Sequence, residues 1–275
     1  MRLVEVGDIE LEVHDLGQGD PVVLVQTALT ADELAPLSAH VVTRGPYRAI
    51  AYHRRGYAGS SPVHGPGSVV RDAADCRDLI AALHLDRVHV VGYSYSGAVA
   101  LQLAVDAAEQ VHTLTLIEPP PVHVPSSAEF RAANARLQET RRSHGPVTAL
   151  EEFLGLVIGP HWRTDVERRL PGAPEQMQRD TETFFDTDLP ALLSWRFDAE
   201  DARRVACPVL HISGSDSGPW FAEVRDLVLT WFPQADDVLL SGAHHSLALT
   251  HAVQVADALV DFLGRHPLSA ARGPG

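Results

Sequence analysis

The chain has 275 residues, of which 45% are hydrophobic, and a formal net charge of −14 at pH 7. This length suffices for one large α/β domain with an insertion or for two small domains, and the composition predicts a well-buried core. The negative charge, with no local block of arginine, argues against nucleic acid and anionic membrane surfaces as partners. The sequence contains no lysine, which excludes Schiff-base chemistry and a phosphate site built on lysine.

The N-terminal stretch "MRLVEVGDIELEVHDLG" alternates apolar and polar residues as a strand does, and it lacks the apolar core of a signal peptide. No uninterrupted apolar run is long enough to span a bilayer. We therefore expect a cytoplasmic protein with no membrane partner. The two cysteines, Cys76 and Cys207, lie in unrelated segments without metal-type spacing, which favours reduced, buried thiols.

Apolar and β-branched runs predict eight strands along the chain. Several of these runs are unbroken, as is typical of parallel strands buried on both faces. The predicted strands are Leu3 to Val6, Glu10 to Val13, Val22 to Gln26, Arg48 to Tyr52, Val88 to Gly92, Thr113 to Ile117, Val209 to Ser213 and Asp237 to Leu240.

Helical periodicity alternates with the strands and predicts a parallel sheet covered on both faces. The predicted helices of this core are Val69 to Leu83, Tyr95 to Val105, Phe221 to Trp231 and Ala252 to Leu263. From Pro119 to about Val205 the periodicity is helical without strands, in the segments "SSAEFRAANARLQETRRSHG", "VTALEEFLGLVIG" and "PEQMQRDTETFF". We therefore expect a core formed by residues 1–120 and 206–275, with a helical cap inserted at 121–205. The C-terminal "SAARGPG" is expected to be a frayed end.

The stretch "VHVVGYSYSGAVALQLA" places Ser94 between a buried strand and an Ala-rich helix. It approximates the nucleophile motif Gly-x-Ser-x-Gly, with Ser96 at the position of the second glycine and Gly97 one residue later. Small residues two positions on either side of the serine let strand and helix approach each other. These features favour Ser94 as a nucleophile, whereas the alternative is an ordinary strand-to-helix turn.

Together with "SGAHHS" much later in the chain, this motif resembles the α/β-hydrolase family, and the resemblance covers nearly the whole sequence. It implies the α/β-hydrolase fold: a mostly parallel eight-stranded sheet, helices on both faces and an inserted helical cap. Family spacing, Gly-x-x-His after Gly242, implies His245 rather than His244 as the general base that activates Ser94. A metal site is disfavoured, because adjacent histidines on one loop do not easily converge on one ion.

Two carboxylates remain open as the group that orients the histidine. Glu118 ends the sixth predicted strand in "LTLIEPPPV", and a carboxylate there needs a buried partner. Asp216 follows the seventh strand in "HISGSDSGPWF", although the family's usual acid position, counted from Gly214, falls on Ser217. Both Glu118 and Asp216 are therefore candidates.

The resemblance also implies two backbone amides as oxyanion donors, those of Tyr95 and Ala28. Gln26-Thr27 stands before Ala28 where most relatives have His-Gly. The loop "YHRRGYAGSSP" resembles the arginine-glycine loop of the family, and we expect Arg54 and Arg55 to be structural.

These features predict a serine hydrolase that cleaves a carboxylic ester or related acyl compound through an acyl-enzyme. Its partner would be a small-molecule acyl substrate, with no metal or organic cofactor, and a homo-oligomer stays open. The alternatives are a non-hydrolytic or C–C bond-cleaving enzyme of the same fold and a ligand-binding protein. Dehalogenases and epoxide hydrolases are disfavoured, because they need an aspartate where Ser94 stands. Candidate specificity residues are Phe153, Leu154, Trp162, Phe184, Phe185 and Trp195.

Overall fold

The computed structural model describes residues 1–268 and contains one eight-stranded sheet. Its strand order is β1-β2-β4-β3-β5-β6-β7-β8; β1 and β2 are antiparallel to their neighbours, and β3 to β8 run parallel. All eight predicted strands are present, and the largest difference is at β2, which continues to Gly17. The strands are β1 (Arg2–Val6), β2 (Ile9–Gly17), β3 (Asp20–Val25), β4 (Tyr47–Tyr52), β5 (Val88–Tyr93), β6 (Val111–Ile117), β7 (Val209–Gly214) and β8 (Asp236–Leu240).

The four helices predicted for the core are also present, and a further helix, α1, lies between β3 and β4. The helices are α1 (Ala35–Arg44), α2 (Val69–Ala82), α3 (Tyr95–Asp106), α4 (Ser127–His144), α5 (Pro146–Val157), α6 (Trp162–Arg169), α7 (Ala173–Arg179), α8 (Thr181–Thr183), α9 (Leu189–Ser194), α10 (Ala199–Ala202), α11 (Pro219–Trp231), α12 (Leu247–Thr250) and α13 (Ala252–Arg265). A π-helical turn, Phe184–Asp188, joins α8 to α9. None of the helices within residues 1–268 is long and apolar enough to cross a membrane. Cys76 and Cys207 are free thiols, the first buried and the second half-buried.

Helices cover both faces of the sheet, as predicted. Successive side chains of a strand point to opposite faces, so Val23 and Val25 pack with α2, α3 and α11. Val22 and Leu24, the alternate residues of β3, pack with α1 and α13 on the other face. The sheet therefore separates two hydrophobic cores and presents the carboxyl ends of its parallel strands along one edge.

The chain between β6 and β7 contains helices α4 to α10 and, within the described residues, no strand. Its own apolar core includes Leu137, Leu150 and Trp162, and it packs against Leu29 and Leu249. The predicted helical segments correspond to α4, α5 and α7 with α8, whereas α6, α9 and α10 were not predicted. The division into a core and a cap at 121–205 stays a prediction, and the predicted frayed end at 269–275 lies outside the described residues.

Candidate active site

Ser94 lies on a sharp turn between the end of β5 and the start of α3. Its backbone adopts φ 52° and ψ −122°, in a region that non-glycine residues rarely occupy. A Cβ on Gly92 would lie 2.4 Å from the carbonyl oxygen of Ser96 and 2.7 Å from the Cβ of Ala100. The close approach of strand and helix therefore requires glycine at position 92. Strained backbone conformations such as that of Ser94 occur often at functional sites, where they fix the position of a side chain.

Ser96 occupies the position where the motif usually has its second glycine, and its hydroxyl is satisfied. The fully buried Oγ accepts a hydrogen bond from the backbone N–H of Tyr93 at 2.9 Å and donates to the carbonyl of Val25 at 2.7 Å. Val25 ends β3, so the hydroxyl joins the turn to the neighbouring strand. A serine is accommodated here because both of its hydrogen-bonding roles are filled.

The structure brings Ser94, His245 and Glu118 into one hydrogen-bonded series. The Nε2 atom of His245 lies 3.0 Å from the Oγ of Ser94, and its Nδ1 atom lies 2.7 Å from Oε2 of Glu118. Glu118 is fully buried at the end of β6, and its Oε1 accepts a hydrogen bond from the backbone N–H of Gly214 at 2.8 Å. Each oxygen of the Glu118 carboxylate and each nitrogen of the His245 imidazole therefore has a hydrogen-bond partner.

Two aromatic residues fix the position of His245. The ring of Phe221 stacks on the imidazole with a centroid separation of 4.0 Å and an interplanar angle of 18°. The hydroxyl of Tyr93 donates to the backbone carbonyl of His245. Because β5 and α11 carry these two side chains, the loop after β8 is anchored to the sheet as well as to the catalytic candidates.

Asp216 does not join this series. Its side chain is exposed, and Oδ1 accepts a hydrogen bond from the hydroxyl of Ser215 at 2.7 Å. Its backbone carbonyl lies 3.0 Å from Nδ1 of His244, the exposed neighbour of His245. Of the two carboxylates that the sequence left open, the structure brings only Glu118 to His245.

The backbone amides of Ala28 and Tyr95 lie in segments that border the same pocket as Ser94. Tyr95 is the first residue of α3, where backbone N–H groups have no partner within the helix. Within residues 1–268 neither amide donates a hydrogen bond to the protein. Both amides are therefore free to donate to a negatively charged oxygen.

Arg54 holds the segments that carry these two amides. Its buried guanidinium donates to the carbonyls of Gln26, at 3.0 Å, and Thr27, at 3.3 Å, just before Ala28. It also lies over the ring of Tyr95, 4.3 Å from the centroid. These contacts agree with the structural role expected of Arg54.

The guanidinium of Arg54 forms two buried ion pairs. Its Nη1 atom lies 2.8 Å from Asp72, on α2, and its Nη2 atom lies 2.7 Å from Asp188, at the end of the π-helical turn. The hydroxyl of Tyr57 donates to the same Asp188 oxygen at 2.6 Å and accepts from the N–H of Leu29 at 3.1 Å. One buried network therefore connects the helical segment between β6 and β7 with the loop of Ala28.

An apolar pocket of about 460 Å³ opens beside Ser94. Phe153 and Phe184, two of the candidate specificity residues, contribute to its wall, and Leu154 borders an adjoining pocket. Trp162, Phe185 and Trp195 are buried in the packing of the molecule instead. The apolar pocket is lined by Ala28, Ser94, Tyr95, Pro120, Pro121, Phe130, Asn134, Phe153, Val157, Phe184, Leu189, Leu192, Phe221 and His245.

The adjoining pocket, of about 380 Å³, has a polar wall formed by Thr27, Thr30, Glu33 and Tyr93. Glu33 is buried, and burial raises the pKa of its carboxyl to about 7. Its Oε1 lies 3.3 Å from the hydroxyl of Tyr93, which donates to the carbonyl of His245. Sequence reasoning missed Glu33, because nothing in "TALTADEL" indicates that this loop folds back to Ser94.

Comparison with known proteins identifies the family. Residues 14–258 match the sequence profile of the Alpha/beta hydrolase family. A 2-hydroxy-6-oxo-2,4-heptadienoate hydrolase from Pseudomonas putida is 34% identical over 125 residues, which cover 42% of this chain and 43% of that protein. A fluoroacetate dehalogenase from a Burkholderia species is 30% identical over 132 residues, covering 45% of this chain and 42% of that protein. The chain thus matches less than half the length of these curated relatives.

Structural similarity extends over a larger part of the chain than the sequence similarity to these two relatives. A thermophilic esterase from Thermogutta terrifontis, solved with malate bound, superposes with a TM-score of 0.78 at 21% identity, covering 97% of this chain and 99% of that one. This likeness confirms the predicted α/β-hydrolase fold. Because the family profile spans most of the sequence, the chain belongs to the Alpha/beta hydrolase family.

Proposed function

We propose that the protein is a serine hydrolase that cleaves a carboxylic ester or related acyl compound through a covalent acyl-enzyme. The observation that carries this proposal is the hydrogen-bonded series from Ser94 through His245 to Glu118 beside an apolar pocket. A serine hydroxyl is a weak nucleophile until a neighbouring base accepts its proton. A buried carboxylate behind that base stabilises the imidazolium that forms.

In the acylation step, Oγ of Ser94 attacks the carbonyl carbon of the ester, and its proton moves to Nε2 of His245. The tetrahedral intermediate then expels the alkoxide, which takes that proton and leaves as an alcohol. Glu118 keeps the Nδ1–H of His245 in place, so Nε2 is the nitrogen that exchanges the proton. The products of this half-reaction are the free alcohol and an acyl group bound to Ser94.

Deacylation repeats the sequence with water. His245 accepts a proton from water as the water oxygen attacks the acyl carbon, and it then returns the proton to Oγ of Ser94. In both acylation and deacylation the developing oxyanion would accept hydrogen bonds from the free N–H groups of Tyr95 and Ala28. One such donor contributes roughly 3 to 4 kcal/mol of transition-state stabilisation in serine hydrolases.

The pocket walls favour an uncharged substrate with an apolar group. The two pockets beside Ser94 have no arginine among their described lining residues, and Glu33 would repel a substrate anion once ionised. In the apolar pocket, Oδ1 of Asn134 is buried without a protein partner within residues 1–268. A substrate N–H or O–H group is therefore the polar feature that this pocket would recognise.

Covalent labelling tests the proposal. A fluorophosphonate probe should add one adduct per wild-type chain, mapped by mass spectrometry to Ser94, and the protein should hydrolyse p-nitrophenyl esters. Ser94→Ala should abolish both signals with an unchanged far-UV spectrum, because the change removes a nucleophile and little packing. Ser143→Ala, at an exposed serine of α4, serves as the matched control and should retain both. Esterase activity in pure Ser94→Ala, or no labelling of the wild type, would contradict the proposal, the second outcome favouring a ligand-binding protein.

Hydrolysis of a C–C bond is the second candidate function. It is favoured by the similarity to the 2-hydroxy-6-oxo-2,4-heptadienoate hydrolase, which is 34% identical over the matched 125 residues. The pocket walls argue against an anionic dienoate, since their described residues offer no cation for its carboxylate. Parallel assays with p-nitrophenyl esters and with a 2-hydroxy-6-oxo-dienoate separate the two functions, because we expect turnover of the esters alone.

A further inference from the structure

Three potential metal ligands meet at a third pocket, which shares no lining residue with the two pockets beside Ser94. His14, Asp32 and His53 each offer one ligand atom, and the three atoms lie within 4.8 Å of one another. Nε2 of His53 lies 3.0 Å, and Nε2 of His14 lies 3.7 Å, from the same Oδ1 atom of Asp32. Two imidazoles and a carboxylate therefore converge on one point.

The sheet register explains why the two histidines meet. His14 on β2 is paired with Ala51 on β4, and His53 follows two residues after Ala51. Residues two apart on a strand share a face, so the two imidazoles are diagonal neighbours across adjacent strands. Their ring centroids lie 5.2 Å apart at an interplanar angle of 69°. Asp32 reaches them from the loop after β3.

The hydrogen bonding of the two imidazoles resembles that of histidines that bind a metal. Nδ1 of His53 lies 3.0 Å from Oε2 of Glu12, so a carboxylate fixes the ring and directs Nε2 toward the cluster. This arrangement is usual for histidines that bind a metal. Nε2 of His14 is buried without a hydrogen-bond partner within residues 1–268.

We propose that His14, Asp32 and His53 bind one divalent transition-metal ion, with zinc the best fit. Nitrogen and oxygen ligands about 2.0 to 2.2 Å from a tetrahedral zinc lie roughly 3.3 Å from each other. The observed separations of 3.0 Å and 3.7 Å bracket that value. The side chain of Asp32 is 47% exposed, so solvent reaches this edge of the cluster and water can supply the fourth ligand. Imidazole nitrogens select against magnesium and calcium.

The test uses the full chain without an affinity tag, stripped with EDTA and titrated with zinc by calorimetry and with cobalt by visible absorption. We expect one equivalent of metal and a cobalt spectrum typical of a site with nitrogen and oxygen ligands. His14→Gln and Asp32→Asn should each weaken zinc binding at least about tenfold, and Glu12→Gln about 10- to 100-fold through loss of ring orientation. His64→Gln, at an exposed histidine outside the cluster, should bind as the wild type does.

His53 is buried, so its replacement risks misfolding, whereas His14 and Asp32 are more exposed and provide variants that keep the fold testable. An absence of stoichiometric binding would overturn the proposal. Binding that survives both His14→Gln and Asp32→Asn would also overturn it, and would point to other histidines such as His245. Ester hydrolysis does not enter the measurement, so this outcome is independent of the role proposed for Ser94.

Discussion

At the residue scale, Glu118 accepts hydrogen bonds from the N–H of Gly214 and from Nδ1 of His245. Glu118→Gln keeps the size of the side chain but removes the charge that, in the proposed mechanism, stabilises the imidazolium of His245. We expect kcat for ester hydrolysis to fall by about 10³- to 10⁴-fold, with KM changed little. Asp216→Asn is the matched control, and steady-state kinetics should find it within about twofold of wild type, because an exposed carboxylate outside the series has little influence. A large loss in Asp216→Asn and a small one in Glu118→Gln would reverse the assignment.

Glu33 makes the stability of the protein depend on pH. Below about pH 4.5 the Glu33 carboxyl is protonated in both the folded and the unfolded chain. Between about pH 4.5 and pH 7 this carboxyl ionises only in the unfolded chain, and that difference favours unfolding. Wild-type protein should therefore lose about 3 kcal/mol relative to Glu33→Gln as the pH rises from 4.5 to above 7. Urea unfolding at pH 5 and pH 8.5 should show most of this change, about 2.5 kcal/mol, because the unfolded carboxyl is already partly ionised at pH 5. Glu109→Gln, at an exposed glutamate, should follow the wild type, and a pH-independent gap for Glu33→Gln would contradict the prediction.

The candidate site could be predicted only in part from the sequence. Ser94 and His245 lie in short sequence motifs whose geometry is local, so the sequence alone was enough to select these two residues. The choice between Glu118 and Asp216 depends on how the ends of β6 and β7 approach the loop after β8, which no local pattern records. The cluster of His14, Asp32 and His53 was missed because its members come from three separate segments joined only by strand pairing.

At the scale of elements, the contact between α3 and the end of β6 limits the geometry around Ser94. A Cβ on Gly97 would lie 2.6 Å from the Cβ and 2.8 Å from the Cα of Pro119, the residue after Glu118. Gly97→Ala should therefore push α3 away from the segment that carries Glu118. We expect lower kcat and a lower melting temperature, measured by ester kinetics and calorimetry.

Gly155→Ala provides the control for this prediction. Gly155 lies inside α5, and a Cβ there would meet no atom within 4 Å. Alanine should stabilise that helix by up to about 1 kcal/mol, because it loses less conformational freedom than glycine on folding. Equal effects of the two substitutions would show that packing against Pro119 is not what requires glycine at position 97.

Elements with a strong hydrophobic periodicity were predicted well from the sequence, whereas the helices that were not predicted have a weak hydrophobic periodicity. The strands of the parallel sheet are continuous apolar runs, because helices cover both of their faces. By contrast, α6 buries only Trp162 and Val166 among polar neighbours, and α9 is a short apolar segment with a proline at its second position. Helix α1 likewise has a proline, Pro36, at its second position. Tertiary packing rather than local preference defines these helices.

At the scale of the whole molecule, the ion pair between Arg54 and Asp188 joins the loop of Ala28 to the helical segment between β6 and β7. Asp188→Asn leaves the buried guanidinium with one carboxylate instead of two. Because Asp72 still compensates the guanidinium, the cost is that of the weakened charge-assisted hydrogen bonds from Arg54 and Tyr57, roughly 1.5 to 3 kcal/mol each, and urea unfolding should show a loss of at least about 2 kcal/mol. Asp186→Asn, two residues away, removes an exposed pair with Arg141 and should cost less than about 1 kcal/mol. Similar losses in the two variants would contradict this view of the network.

The same network limits how the family's helical segments could be exchanged between proteins. A chimera that takes residues 121–205 from a relative would keep Arg54 in the recipient but lose Asp188, so a cation would stay buried without its second counterion. Such a graft would also release Tyr57, which positions the N–H of Leu29. Recombination or laboratory evolution of substrate range in this scaffold would therefore succeed most readily when a donor segment carries an acidic residue at the end of its π-helical turn. Arg54 and Asp188 therefore need to be exchanged together, although they lie in two separate stretches of the sequence.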